Sequence, residues 1–385
     1  MFRYLIGTAL LIATLQAQRL QPEWDKTYGA DKEEKAYDLV ITRDQAIAVC
    51  GVSRSFSRGK EDIYLFKTDA NGQLLWEKRI GGTEKDLCRG IDESSDGTLY
   101  LGGTSRSYSK EGNYDLYVAK RDRSGNPIWA KVVGGKGKDY GYDLVATRDG
   151  GVVIVGKTKS FGQGRYDAYV AKFSADGKRL WSKTFGGKEN EEAQGVTELP
   201  DGSLIVVGST ESYGAGDFDF YIFKLSPEGK KLWERYYGGE KDDQLYAVTP
   251  LSDGGFAATG YTRSYGSQKK DLSVVRFDAK GNLLWHKIAG GVNHEIGYGI
   301  APTTSDGLIV TGMTKSRGHG KEDLYLLLFD KNGKPLADKT LGGKKNDSAH
   351  AIVRTPGGDY IVAGASESFG KEDEYDAYLL RIDVQ

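Results

Sequence analysis

Residues that carry reactive or metal chemistry are scarce in this 385-residue chain, which has two cysteines, four histidines and two methionines. No phosphate loop, nucleophile elbow or Cys-x-x-Cys occurs. Neither sign of charge dominates, with 53 basic and 54 acidic residues, so the broad basic face that nucleic acid requires is not expected. No apolar run reaches the ~20 residues that span a bilayer as a helix, so membrane insertion is not expected either. Proline is limited to eight positions, whereas glycine occupies 53 and tyrosine 24. Abundant glycine and aromatic residues at even spacing point to many short strands joined by tight turns.

The first residues, MFRYLIGTALLIATLQAQ, have the pattern of a secretory signal: Arg3 as the positive region, Leu5 to Leu15 as the apolar region, and Ala17 as the small residue before the cut. The expected division is a signal peptide over 1–17 and one domain over 18–385. No cysteine follows the cut, so no lipid anchor is expected. Cys50 and Cys88 would then meet oxidising conditions, and both a bridge and two buried thiols remain open.

The remainder is a repeat. All six tryptophans, 24, 76, 129, 181, 233 and 285, are spaced 52, 53, 52, 52 and 52 residues apart, and one further period reaches Ala337. Around them runs one phrase, as in WEKRIGGTEKD (76–86) or WAKVVGGKGKD, so the chain holds seven copies. Within a copy, Asp-Gly and similar turns separate four short strands. The third is apolar on both faces, as in Tyr221-Ile222-Phe223, so the sheet must be covered on both sides. This predicts an all-β fold, a seven-bladed β-propeller of four-stranded antiparallel blades. The last copy lacks a fourth strand and the N-terminal segment supplies one, so residues 22–28 are expected to complete the C-terminal blade and close the ring.

The repeated residues divide by role. The tryptophans are expected to pack neighbouring blades, with Ala337 leaving a thinner seam. Asp62, Asp115, Asp167, Asp219, Asp271, Asp323 and Asp376 open the third strands, and their unvarying length predicts a fixed hydrogen bond to the adjacent loop. The acid closing the phrase varies between Asp and Glu: Glu34, Asp86, Asp139, Glu191, Asp243, Glu295 and Asp347. It precedes the innermost strand, which suggests an acidic ring at the channel mouth, able to attract cations or basic partner groups. On the rim of longer loops stand Phe56, Tyr108, Phe161, Tyr213, Tyr265 and Phe369, a second candidate binding set for sugar or protein. His294 and His319 are expected on that rim near Glu295, with no ligand set around them.

DANGQLLW (69–76), SADGKRLW (174–181) and DAKGNLLW (278–285) resemble the Gly-to-Trp motif of pyrroloquinoline-quinone-type propeller repeats. DGGVVIVGKTKSFGQGRYDAY (149–169) is similar to the DGGxxxxGxTxSxGxGxxDxY pattern of secreted bacterial propeller repeats. The resemblance covers nearly all of the chain after the leader. It implies a propeller serving as a scaffold, a binding module or, more rarely, an enzyme. Quinone dehydrogenases of this type have eight blades and a vicinal disulfide; seven copies and no adjacent cysteine pair argue against that activity, and no cofactor is expected. The signal segment resembles those of exported proteins of Bacteroidetes-like bacteria. The resulting expectation is a non-catalytic, protein-binding or scaffolding propeller, secreted, periplasmic or on the surface of a Gram-negative cell. Its expected partner is another envelope or surface protein. The alternatives are a glycan-binding module using the aromatic rim and a glycan-degrading enzyme at the channel mouth.

Overall fold

The computed structural model describes residues 19–385 apart from 56, 58 and 268, so the leader lies outside the described residues. Seven four-stranded antiparallel sheets follow one another along the chain. In the first blade they are β2 (Glu34–Ile41), β3 (Ile47–Ser53), β4 (Asp62–Thr68) and β5 (Leu74–Ile80), in that spatial order. The equivalents of β2 surround a central channel, and those of β5 form the outer wall. Every residue of β3 and β4 is buried, whereas β5 is buried nowhere along its length. Each apolar cluster draws on two adjacent blades; one joins Cys50 and Leu65 to Leu101 and Tyr117. The sheets therefore stack face to face around the channel, and burial of both faces is what the doubly apolar third strands require.

The ring closes as expected. β1 (Leu20–Tyr28) pairs antiparallel with the strand Asp376–Val384, with Trp24 opposite Arg381. Arg19 and Gln385 exchange both backbone hydrogen bonds, at 2.8 and 3.0 Å. The seventh blade is thus built from both ends of the sequence.

The tryptophans pack between blades in a specific way. Each lies over the glycine of the third-to-fourth-strand turn in the next blade. A Cβ on Gly177, Gly229 or Gly281 would stand 2.8, 2.9 or 2.7 Å from the indole of Trp129, Trp181 or Trp233. These glycines have φ near 80°, a conformation glycine adopts without strain. Trp129 and Trp181 also donate Nε1–H to the carbonyls of Ala175 and Pro227, each at 3.0 Å.

Ala337 differs for a topological reason. The third and fourth strands of the seventh blade are joined by no turn, so there is no turn glycine for an indole to cover. Ala337 packs instead, part-buried, on a cluster that contains Leu20, Leu380 and Ile382.

Cys50 and Cys88 are joined by a disulfide with Cα atoms 5.7 Å apart. It staples the second strand of blade one to the innermost strand of blade two, and both residues are fully buried.

Candidate functional site

The acids closing each phrase do not form an open ring at the channel mouth. Glu34, Asp86, Asp139, Glu191, Asp243, Glu295 and Asp347 are all buried, none more than 3% exposed. Asp139 shows why. One of its oxygens accepts the Thr158 hydroxyl and the Ser160 amide, at 3.2 Å for the latter; the other accepts Ser160 Oγ at 2.6 Å and the Gly135 amide at 3.0 Å. The carboxylate ties the glycine turn entering the blade to the loop leaving its second strand. Asp and Glu interchange because the longer chain meets equivalent donors: Ser53 Oγ reaches Glu34 at 2.7 Å and Thr210 Oγ1 reaches Glu191 at 2.7 Å. A buried carboxylate with its donors in place is a structural peg, so the expectation of a partner-facing ring is corrected.

The third-strand aspartates make the loop bonds their fixed length suggested. Asp219 accepts the amides of Ala215 and Gly216 at 2.8 and 3.2 Å, and Asp167 those of Gln163 and Gly164 at 3.1 and 2.9 Å.

Among the rim aromatics, Phe56 lies outside the described residues. Tyr108, Phe161, Tyr213, Tyr265 and Phe369 are 41–47% exposed, and each ring contacts an aromatic or histidine ring of its own blade, as Phe161 stacks on Tyr169 with centroids 5.8 Å apart and Tyr265 meets His286 edge-on. The hydroxyls of Tyr213 and Tyr265 donate back to the carbonyls of Gly186 and Gly238 in the preceding blade, at 3.4 and 2.9 Å. The rings are thus held against their own blades and stay partly open to solvent. His294 and His319 do not converge: His294 Nδ1 accepts the Lys270 amide at 3.1 Å, while His319 borders a groove with Asp25, Asp323 and Phe369.

The structure brings together a different set. Every innermost strand carries a β-bulge at the same place; in β2 the register shifts between Ala36 and Asp38. The extra residue resets the alternation. Ala36 and Leu39 both enter the core, and Tyr37 and Asp38 between them stand on the channel. The bulged residues are Tyr37, Arg89, Tyr142, Gln194, Tyr246, Tyr298 and His350, one per blade, and all seven line a cavity of about 490 Å³. The position recurs at the period of the repeat yet holds four residue types. Searching for recurring identity passes over it; the usable signal was a polar or aromatic residue at a fixed offset where the copies disagree.

The bulge ring is in contact around much of its circumference. Tyr37 and Tyr298 both flank His350, with centroids 5.2 and 5.6 Å away, and Tyr246 lies 5.5 Å from Tyr298. The Arg89 guanidinium sits 4.1 Å from the centre of the Tyr37 ring, within the range of a cation–π contact. His350 donates Nδ1–H to the Ala36 carbonyl at 2.7 Å, since a carbonyl only accepts. Burial pushes its pKa down to about 4, keeping the ring neutral.

Beside this ring, three aspartates bind adjacent innermost strands to each other. Asp38 accepts the amide of Ile91 at 2.8 Å, Asp92 that of Ala146 at 2.8 Å and Asp143 that of Val196 at 2.9 Å, each in the next blade. Burial raises Asp143 to about 7 and Asp92 to about 6. Asp38 is raised as well, by burial first and then by the charge of Asp143. In the other four blades small or apolar residues, such as Ala247 and Ile300, complete the wall. The channel is thus polar and carboxylate-lined on one side and apolar on the other.

Similarity to known proteins bears on the fold. A family model described as "Domain of unknown function (DUF5122) beta-propeller" matches residues 199–231. "Regulatory protein FlaEY" of Caulobacter vibrioides is 24% identical over 362 residues, 85% of this chain and 35% of that protein. An uncharacterized protein of Aquifex aeolicus is 30% identical over 213 residues, 54% of this chain and 52% of that one. The chain therefore spans between about a third and about half of these relatives. A crystal structure of a protein of unknown function from Dyadobacter fermentans superposes with a TM-score of 0.53 at 10% identity, covering 95% of this chain and 99% of that one. At that identity the likeness speaks to fold alone. Seven four-stranded sheets, a closed ring and a matching propeller model together make this chain a seven-bladed β-propeller repeat protein.

Proposed function

We propose that this propeller is a non-catalytic binding module that receives part of another protein at its central channel. One observation carries the reading: the copies repeat their structural residues and differ at the bulge that faces the channel. Trp recurs in six copies, and the first glycine of the phrase and the buried acids in all seven, because packing within and between blades uses them. Tyr37, Arg89, Tyr142, Gln194, Tyr246, Tyr298 and His350 meet no such common demand and together present a mixed aromatic and polar surface. Aromatic residues and arginine are the residue types over-represented at protein interfaces. The name of the Caulobacter relative, a regulatory protein, is in keeping with an interaction role.

The same reading places the protein outside the reducing cytosol, in the envelope or at the surface. The leader-like segment supports this, as does the buried Cys50–Cys88 bridge, a bond that persists in oxidising compartments.

The test is cross-linking capture from envelope fractions with the mature protein and with a Tyr298→Ala, Tyr246→Ala channel variant. A protein captured by the wild type and lost with the variant is the expected result. Capture that is unchanged in the channel variant, or that is lost only in a Tyr108→Ala, Tyr213→Ala rim variant, places recognition elsewhere.

A further inference from the structure

We propose that the channel is a carboxylate-binding site in which Arg89 receives an acidic side chain or C-terminus of the partner polypeptide. The proposal rests on the protein-binding reading above and names the chemistry of the same site.

Arg89 is exposed to the channel although it sits in the middle of the innermost strand of blade two. Its guanidinium makes no hydrogen bond or ion pair with any described residue; its one contact of note is the Tyr37 ring, which it overlies. A guanidinium has five N–H donors in a fixed fork, and stacking on an aromatic face leaves its edge open for a carboxylate in bidentate geometry. Tyr37, Tyr142 and Tyr298 line the same cavity and their hydroxyls donate to no described residue, so further donors are available there.

The other charges of the channel are already engaged. Both oxygens of Asp38 accept backbone amides, from Leu39 and Ile91, and both of Asp143 accept those of Leu144 and Val196. Glu192 is held by Lys157 at 2.5 Å and by Gln194 at 2.6 Å. His350 is committed to Ala36 and neutral. The raised pKa values of Asp38 and Asp143 reduce the negative charge that an incoming anion meets. Arg89 is left as the unpaired ion of the cavity.

The position of Arg89 is also braced. It directly follows Cys88, whose bridge to Cys50 ties this strand to blade one, the blade that supplies Tyr37. A cavity of about 490 Å³ admits a side chain or a chain end and not a folded surface, so the ligand is a protruding segment.

Binding is to be measured by calorimetry on the mature protein with blocked tetraglutamate, tetralysine and tetraserine peptides, trigalacturonate and inorganic phosphate. Tetraglutamate is expected to bind wild type, and at least about tenfold more weakly to Arg89→Gln, the loss expected for a charge-assisted pair. Arg89→Lys should fall between them, because it keeps the charge and loses the fork. Tyr298→Phe should lose less, and it carries the comparison together with Arg89→Lys if Arg89→Gln does not fold. Equal affinity of wild type and these variants for tetraglutamate overturns the proposal, as does no binding of tetraglutamate. Binding of tetralysine or tetraserine in its place overturns the carboxylate assignment and leaves the protein-binding reading standing. Binding of trigalacturonate or phosphate alone overturns both.

Discussion

A methyl group on Gly238 would stand 1.7 Å from Oδ1 of Asp219. The first glycine of the repeated phrase is therefore there because the third-strand aspartate presses against its Cα. Gly29, Gly134 and Gly290 stand in the same relation to Asp376, Asp115 and Asp271, at 2.0, 2.0 and 1.8 Å. Neither partner yields readily: the aspartate is fixed by its loop bonds, and the glycine lies between two blades.

Gly238→Ala is accordingly expected to destabilise the protein by about 2–3 kcal/mol, the upper part of the overpacking range. Gly202, whose turn leaves a Cβ 3.4 Å from Pro227, provides the comparison for backbone conformation alone; Gly202→Ala should cost about 1 kcal/mol. Urea denaturation of both variants checks the order, and equal losses would mean that Asp219 moves aside.

The tryptophan–turn contact makes a second prediction. Trp181→Ala removes a half-buried indole and its bond to Pro227, and should cost about 2 kcal/mol, below the range of a fully buried tryptophan. Ala337→Trp finds no turn glycine to cover and should change stability by less than about 1 kcal/mol. A gain comparable to the Trp181 loss would show that the seventh blade offers the same seat after all.

Reduction of the Cys50–Cys88 bridge should lower stability by about 2–4 kcal/mol, as expected for a bridge that closes a loop with its cysteines 38 residues apart. Thermal melts with and without reductant measure this. Cys50→Ser, Cys88→Ser should match the reduced wild type and become insensitive to reductant.

Stability should also depend on pH through the channel aspartates. Asp143 titrates at about 7 and Asp92 at about 6 when folded, against about 4 in an unfolded chain. Between those values the folded state holds more protons, so the stability these groups contribute is greatest at low pH and declines as pH rises from about 4 to 7. Asp143→Asn removes one of them, and its pH–stability curve should be flatter than that of wild type over this window. Parallel curves would show that Asp143 is not protonated in the folded protein.

Much of the architecture was legible because it repeats. Seven copies of a phrase with doubly apolar third strands admit few folds, and a missing strand at one end matched a spare strand at the other. The fixed length of the third-strand aspartates likewise announced a local bond. The acids from Glu34 to Asp347 misled for a related reason: tolerance of both Asp and Glu suggested a solvent-facing charge, whereas a cluster of hydroxyl and amide donors accepts either length in the interior.

By itself, then, the sequence determined the blade count, the strand order and the closure of the ring, because periodicity and alternation act along the chain. Only the tertiary structure decided which side chains meet. The bulge that turns Arg89 and four tyrosines into one cavity is a break in alternation that a search for recurring identity passes over. Side chains about 52 residues apart become neighbours there only when the seventh blade closes the circle.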